Sequence, residues 1–363
     1  MQAHDRDASV MPKIKCINQK QSKKQMKARM QNREQMKHDQ ESHEHSIDWM
    51  CGCQPAETNS FGKAPPGQEA IPSTQEAKRL AKLKTSDFEF YNRKRWDMLG
   101  EVYDKNLEVT YSDGRVSKGL DAYVEDLRIR NDFAPDAHIG SHLISFASGE
   151  WTALMRTSRG TFTRPFANSQ GKAQLSPNGK KFQSVEAVVS HWQDGVIDRQ
   201  VHFWDTGTIV QQIGAAPHMG AGAADQDLPA VFPSIGYAQP PYVIARRLFA
   251  LDEMDFDVFS LSQIARLSES HAQDVLCMWP DGRLEKGIEL HLATIIELLA
   301  FSRDLKIELH PIRFGVGEWT VLVGEMHGTF SGMMTNPAGG EPIKPTGKPF
   351  RMKMATFSHW GAA

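Results

Sequence analysis

The stretch Phe182–Asp205 reads FQSVEAVVSHWQDGVIDRQVHFWD. Val185, Ala187 and Val189 alternate with Glu186, Val188 and Ser190, the two-residue period of a strand with one buried face. Gln193-Asp194-Gly195 is a hairpin signal, because glycine accepts the positive φ that such turns need. Val196–Trp204 then returns antiparallel. His191 precedes the turn and Asp205 ends the return strand. Two ionisable groups on neighbouring strands of a largely apolar sheet are candidates for acid/base chemistry. The plainer alternative is a satisfied strand histidine and an aspartate that caps the segment Thr206–Gln212.

Upstream of this pair the pattern alternates between helix and strand. Ser73 to Asp104 reads as helical, with Phe88, Tyr91, Met98, Leu99, Val102 and Tyr103 near helical spacing. A short strand, Leu107–Tyr111, runs into the turn Ser112-Asp113-Gly114-Arg115. Gly119–Ile129 is helical again. His138–Phe146, Trp151–Phe166 and Phe182–Trp192 read as long strands, separated by turns at Ser148-Gly149-Glu150 and Asn168–Gly179. Downstream, Gly214–Tyr242 is rich in Gly, Ala and Pro and reads as a linker. Phe249–Ser270 is helical.

The second half repeats the first at a constant offset of 168 residues. Asp113-Gly114-Arg115 recurs as Asp281-Gly282-Arg283, and His142 as His310. Gly149-Glu150-Trp151-Thr152 recurs as Gly317-Glu318-Trp319-Thr320, Gly160-Thr161-Phe162 as Gly328-Thr329-Phe330, and Ser190-His191-Trp192 as Ser358-His359-Trp360. About 30 identities over about a hundred ungapped positions point to a duplicated domain. In the second copy nothing corresponds to Gln193–Gly214, so a return strand and a counterpart of Asp205 are not expected there. Its last strand should then offer an unpaired edge.

Composition bounds the rest. The chain has 363 residues, room for two or three domains, and a formal charge of −2, which provides no global field for nucleic acid or membrane. No run of about 18 apolar residues suggests a spanning helix. Cys16, Cys51, Cys53 and Cys277 are too scattered for a disulfide framework, so a reducing cytoplasm is expected. Pro12–Lys37 holds nine Lys or Arg and one acidic residue, and Gln54–Thr74 is rich in Pro, Gly, Ala and Ser. Neither can bury enough apolar surface to offset ordering entropy, so residues 1–80 are expected as a disordered, polar and basic tail. Met11 is a second candidate start. His38, His43, His45, Cys51 and Cys53 lie in this tail, but their spacing matches no zinc pattern. The resulting domain plan is tail 1–80, domain 81–214, linker 215–248 and domain 249–363.

Several residues taken together carry a family resemblance. Helices come first, then a Gly-Thr-Phe strand, a Gly-Lys-x-Phe strand entry, Asp-Gly, and a closing His202-Phe203-Trp204-Asp205 that runs into Gln211-Gln212-Ile213-Gly214. This order resembles the SnoaL-like polyketide cyclases, or ester cyclases, of the NTF2-like superfamily. The resemblance covers about 85–214 and, shortened, 253–360. It implies an α+β fold of two tandem NTF2-like cones, each a curved antiparallel sheet closed by helices around an apolar pocket. It implies an intramolecular aldol closure without metal or cofactor. Asp205 as acid/base and His191 are the positions that match the family's functional pair. Tyr111, His202, Trp192 and Trp204 are the pocket candidates. This chain departs from the family at Thr163-Arg164-Pro165, where members usually carry a small hydroxyl or acidic residue.

Two function classes follow. One is a cofactor-independent, cyclase- or isomerase-like enzyme acting on a hydrophobic, polyketide-like carbonyl substrate. The other is a non-catalytic small-molecule binder or scaffold. In both, the two copies are expected to pack as an internal pseudo-dimer. A homo-oligomer is compatible with either class, whereas a membrane or nucleic-acid partner is not expected. No tight cluster of His and carboxylates in either copy suggests a metal, and no Gly-x-Ser-x-Gly signature suggests a nucleophile. Glu186 shares a strand with His191 but lies on the opposite face, so the two cannot share one pocket.

Overall fold

A computed structural model describes residues 72–167, 173–214, 232–334 and 341–361. The expected disordered tail and its His and Cys residues lie almost wholly outside the described residues, as does most of the linker.

The first helix, α1 (Thr74–Lys84), opens with a capping box in which the Ser73 hydroxyl accepts from the Glu76 amide and the Ser73 amide donates to the Glu76 carboxylate. It runs into a π-helical turn, Thr85–Tyr91, and a 3-10 turn, Trp96–Glu101. The sequence reads as one helix here. The wider turn instead rotates Asp87, Phe90 and Tyr91 inward together. Strand β1 (Tyr103–Tyr111) pairs with β2 (Val116–Lys118), and helix α2 (Leu120–Asp132) follows. Gly119 enters α2 at φ 91°, a conformation that favours glycine, and Gly287 repeats it at φ 91°. Then come β3 (His138–Ser148), β4 (Trp151–Thr161), the short β5 (Phe166–Ala167) and β6 (Ala173–Leu175), β7 (Lys181–Gln193), β8 (Val196–Trp204) and helix α3 (Thr206–Gln212).

The first sheet has the order β2-β1-β8-β7-β4-β3. Its hairpins are antiparallel as expected, but β1 and β8 run parallel, with Tyr111 opposite His202. Parallel neighbours need a long connection, and here nearly the whole domain lies between them. The two faces of this sheet are covered differently. On one, Leu107, Val109, Tyr111, Trp192 and Ile197 pack with Leu83, Tyr91, Leu99, Tyr123 and Leu127 from the helical segments. On the other, Ile144, Phe146, Ala153 and Val189 pack with Phe314, Trp319, Val321 and Val323 from the second half.

The second half begins with α4 (Pro241–Glu253), which starts earlier than expected because Pro241 suits a helix's first turn. A π-helical turn (Met254–Phe259) and a 3-10 turn (Ile264–Glu269) follow. β9 (Leu276–Met278) and β10 (Leu284–Lys286) form a separate ribbon, followed by α5 (Ile288–Phe301). β11 (Lys306–Ile307), β12 (Ile312–Val316) and β14 (Pro349–His359) all pair with β13 (Trp319–Thr329). Several elements recur at the same offset: β13 on β4, β10 on β2, and the 3-10 turn at 264–269 on that at 96–101. Among the described residues no strand corresponds to β8, and the second sheet is split where β8 joins the first.

Candidate functional site

Alternation along β7 fixes what reaches the interior. Phe182, Ser184, Glu186, Val188, Ser190 and Trp192 face the helices, whereas Val189 and its odd-numbered neighbours face the second half. Register then builds a polar row across five strands. Tyr111 on β1 is opposite His202 on β8, which is opposite Val188 on β7. Glu186, two residues back on the same face, is opposite Arg156 on β4, and Arg156 is opposite His142 on β3. The π-helical turn lowers Asp87 onto this row, and α2 adds Arg130 and Asp126, one turn apart.

The row is tightly bonded. Arg156 donates from Nε (3.0 Å) and Nη2 (2.8 Å) to Glu186 Oε2, and from Nη1 to Asp87 Oδ1 at 2.5 Å. His142 Nε2 donates to Asp87 Oδ2 at 2.8 Å. His202 Nε2 lies 3.0 Å from Glu186 Oε2, and since an ionised carboxylate only accepts, Nε2 carries the proton. Arg130 Nη2 donates to Glu186 Oε1 at 3.2 Å, while Nη1 stands 3.5 Å from His202 Nδ1.

Burial opposes the charge on Glu186, but Arg156, Arg130 and His202 outweigh it and hold the carboxyl well below its usual range. Asp87 is lowered in the same way, against burial, by Arg156 and His142. Arg156 is pulled down by burial and raised further by the two carboxylates, so it stays charged. His202 is fully buried, and desolvation takes it down to about 4 despite Glu186. It is therefore a neutral imidazole at neutral pH, with its Nδ1 lone pair turned toward Arg130.

At the half-buried end of the row, Trp204 stands edge-on to Tyr111 (5.3 Å between ring centroids) and close to His202 (5.2 Å). Arg130 lies 4.5 Å over the Trp204 ring. The Tyr111 hydroxyl donates to Asp126 Oδ2 at 2.7 Å, and burial, with that carboxylate, raises its pKa. Three of the four expected pocket residues, Tyr111, His202 and Trp204, thus come together. The fourth, Trp192, is four residues along β7 from the partner of His202. It packs in the core and donates to the Thr152 hydroxyl at 2.9 Å.

The expected pair, His191 and Asp205, is not brought together. His191 is opposite Arg199 and Asp205 follows Trp204, which is opposite Glu186, so about 20 Å of strand separates them. His191 also lies on the face turned away from the helices. Its Nδ1 is 2.6 Å from Asp198, and its ring meets Trp151 edge-on at 4.9 Å. Asp205 caps α3, accepting from the amides of Gly207 (2.9 Å) and Thr208 (3.0 Å) and from the Thr208 hydroxyl (2.6 Å).

Sequence reasoning missed Asp87, Arg130, His142, Arg156 and Glu186. A charged residue mid-strand at the inward parity of both β4 and β7 was the available signal. The second half keeps part of the row: His310 lies between Asp252 (2.8 Å) and Asp255 (2.9 Å), where Asp255 and His310 correspond to Asp87 and His142. Gly324, Met354 and Leu298 stand where Arg156, Glu186 and Arg130 would be. Among the described residues, no three His, Cys, Asp or Glu side chains converge as a metal would require.

Residues 84–213 match the family model described as SnoaL-like polyketide cyclase. No curated protein matches the chain. Similar solved structures include a SnoaL-like polyketide cyclase from Jannaschia sp. CCS1, named putative, with 15% identity over 40% of this chain and 99% of that one, TM-score 0.36. Another is a polyketide cyclase from Xanthomonas campestris pv. campestris, also named putative, with 17% identity over 39% and 100%, TM-score 0.34. A SnoaL-like polyketide cyclase from Agrobacterium tumefaciens has 24% identity over 39% and 100%, TM-score 0.31. Residues 84–213, which build the first sheet and most of the helical segments on it, are thus similar to the SnoaL-like polyketide cyclase family.

Proposed function

We propose that the first domain is a cofactor-independent acid/base enzyme, cyclase- or isomerase-like, acting on a hydrophobic carbonyl substrate. The observation that carries this reading is the His202–Glu186 pair: a neutral buried imidazole, fixed in one tautomer by a carboxylate, with Nδ1 turned toward the half-buried rim. Such an imidazole can take a proton α to a carbonyl, while Glu186 stabilises the imidazolium that forms. Returning the proton to the new alkoxide would complete a ring closure. Trp204 and Tyr111 supply apolar surface for the substrate. The acid/base role expected of Asp205 moves to His202, because both Asp205 oxygens are engaged in capping α3.

The test is α-proton exchange. A hydrophobic aryl ketone is incubated with the protein in deuterated buffer and followed by proton NMR. Wild type should accelerate exchange, and His202→Gln should lose roughly two to four orders of magnitude of that acceleration. Wild-type exchange in His202→Gln, with loss in Asp205→Asn, would return the role to Asp205.

A second reading is the non-catalytic scaffold. The apolar layer of Phe146, Val189, Phe314 and Val321 favours it, since that layer supports an internal pseudo-dimer of 81–214 and 249–363 joined by 215–248. No exchange by wild type on any ketone in a panel of aryl and alkyl ketones would favour this reading. The scattered cysteines support a cytoplasmic location, and no described helix is long and apolar enough to cross a membrane.

A further inference from the structure

Four charged groups are packed around His202. Asp87 and Glu186 are negative, and Arg156 and Arg130 are positive, so these four balance while His202 is neutral; Asp126, half-buried at the end of the row, accepts from the Tyr111 hydroxyl. Arg130 is the most exposed of the four: its side chain is 21% exposed, against 5% for Arg156, 3% for Glu186 and 4% for Asp87. It is also the least committed. Its contact to Glu186 is single and 3.2 Å long, whereas Arg156 holds Glu186 through two nitrogens. Arg130 Nη1 stands over the lone pair of His202, and its guanidinium face lies on Trp204. A substrate that reaches His202 Nδ1 must therefore displace Arg130 from that position.

Proton abstraction creates two charges at once. The C–H bond breaks, the proton goes to His202 Nδ1, and the electron pair moves onto the carbonyl oxygen. The imidazolium needs an anion and the oxyanion needs a cation. Glu186 already accepts from His202 Nε2, and Arg130 is the cation within reach that can leave Glu186. If Arg130 moves to the oxyanion as His202 becomes charged, Glu186 exchanges one cation for another and no charge is left unpaired. In the second half, Leu298 occupies the corresponding position, beside Met354 and Gly324.

We infer that Arg130 is a catalytic residue of the first domain: it closes His202 in the free protein and transfers from Glu186 to the substrate oxyanion as the proton leaves carbon. This rests on the His202 reading but can fail separately from it.

The test uses the full chain and 2-acetyl-1-tetralone, a hydrophobic 1,3-diketone whose enolate is read by its near-ultraviolet absorbance. Binding is measured in parallel by equilibrium dialysis, and folding of each variant by circular dichroism. Wild type should raise the enolate fraction of the bound diketone at neutral pH. Arg130→Met, which keeps the side-chain length, should still bind it but lower the enolate-to-diketone ratio about tenfold or more, the scale of one hydrogen bond to a charged group. Arg130→Lys should lie between. A wild-type ratio in Arg130→Met overturns the inference, and leaves the His202 reading standing if His202→Gln abolishes ionisation. A wild-type ratio in His202→Gln, with loss in Arg130→Met, overturns the His202 reading and leaves Arg130 as an oxyanion-binding residue. A wild-type protein that leaves the diketone un-ionised overturns both.

Discussion

Glu186 and His202 stand diagonally across the β7–β8 pair, with Nε2 of the imidazole 3.0 Å from Oε2 of the carboxylate. Neither side chain has appreciable contact with water. The burial of His202, which Glu186 only partly offsets, gives the protein a measurable acid sensitivity.

His202 titrates near 6.5 in the unfolded chain and near 4 in the folded one, because burial penalises its charged form. Between these values the unfolded chain binds a proton that the folded one does not, so stability falls as pH falls. The span corresponds to about 3 kcal/mol. Losses from Glu186, whose folded value is depressed, begin only below about pH 4.5. Urea melts at pH 7 and pH 5 should show wild type losing midpoint on acidification, and His202→Gln losing much less. Equal losses would refute the assignment of this window to His202.

Arg156 and Glu186 form a buried pair, and removing one partner leaves the other uncompensated. Arg156→Met and Glu186→Met should each cost about 3–5 kcal/mol. The double variant, which adopts the Met of position 354 on β7, should cost well under the sum. Denaturant midpoints of all four proteins give the coupling directly, and strict additivity would mean that the pair is not energetically linked.

Asp205 has a local task. Asp205→Ala should cost about 1 kcal/mol, and Asp205→Asn less, because Asn keeps one capping oxygen but loses the acceptor on the other. Ketone exchange should be the same in Asp205→Asn as in wild type. A loss of exchange comparable to that of His202→Gln would contradict the capping assignment.

Phe146 meets Phe314 at 5.6 Å and Phe357 at 6.2 Å between ring centroids, joining the two sheets. Phe146→Ala should cost about 3–5 kcal/mol. It should also let the second half melt or be proteolysed before the first. Calorimetry that still gives a single, equally stable transition would show that the layer contributes little.

The elements were legible in sequence because their signals are local. Asp194-Gly195 set the β7–β8 hairpin, and Gly119 marked a helix start. The repeat was legible from spacing alone. The candidate site was legible only in part: Tyr111, His202 and Trp204 were expected at a pocket, but the charged row beside them was not, for a reason that lies in β7 itself. Val185 and Val189 on one face and Val188 and Trp192 on the other are all shielded, because helices cover one side of the sheet and the second half covers the other. Alternation then separates two faces without saying which one looks into the cone. The sequence reading took the face of Val185 and Val189, and with it His191. The parallel placement of β1 beside β8, which sets Tyr111 against His202, has no local signal at all.

That placement sets an order of events in folding. The hairpins β3–β4 and β7–β8 join neighbours in the chain, but Tyr111 must wait for His202, about 90 residues later. Asp87, Arg156 and Glu186 all emerge from the ribosome before β8 does. Until then β1 has one open edge, and the carboxylate of Glu186 is hydrated rather than enclosed. Insertion of β8 as the central strand closes the sheet, dehydrates Glu186 and delivers the imidazole in a single step. The imidazole of His202 therefore takes its place only when the domain is otherwise assembled, and a nascent chain arrested before Val196 would hold every charged member of the row and lack its buried histidine.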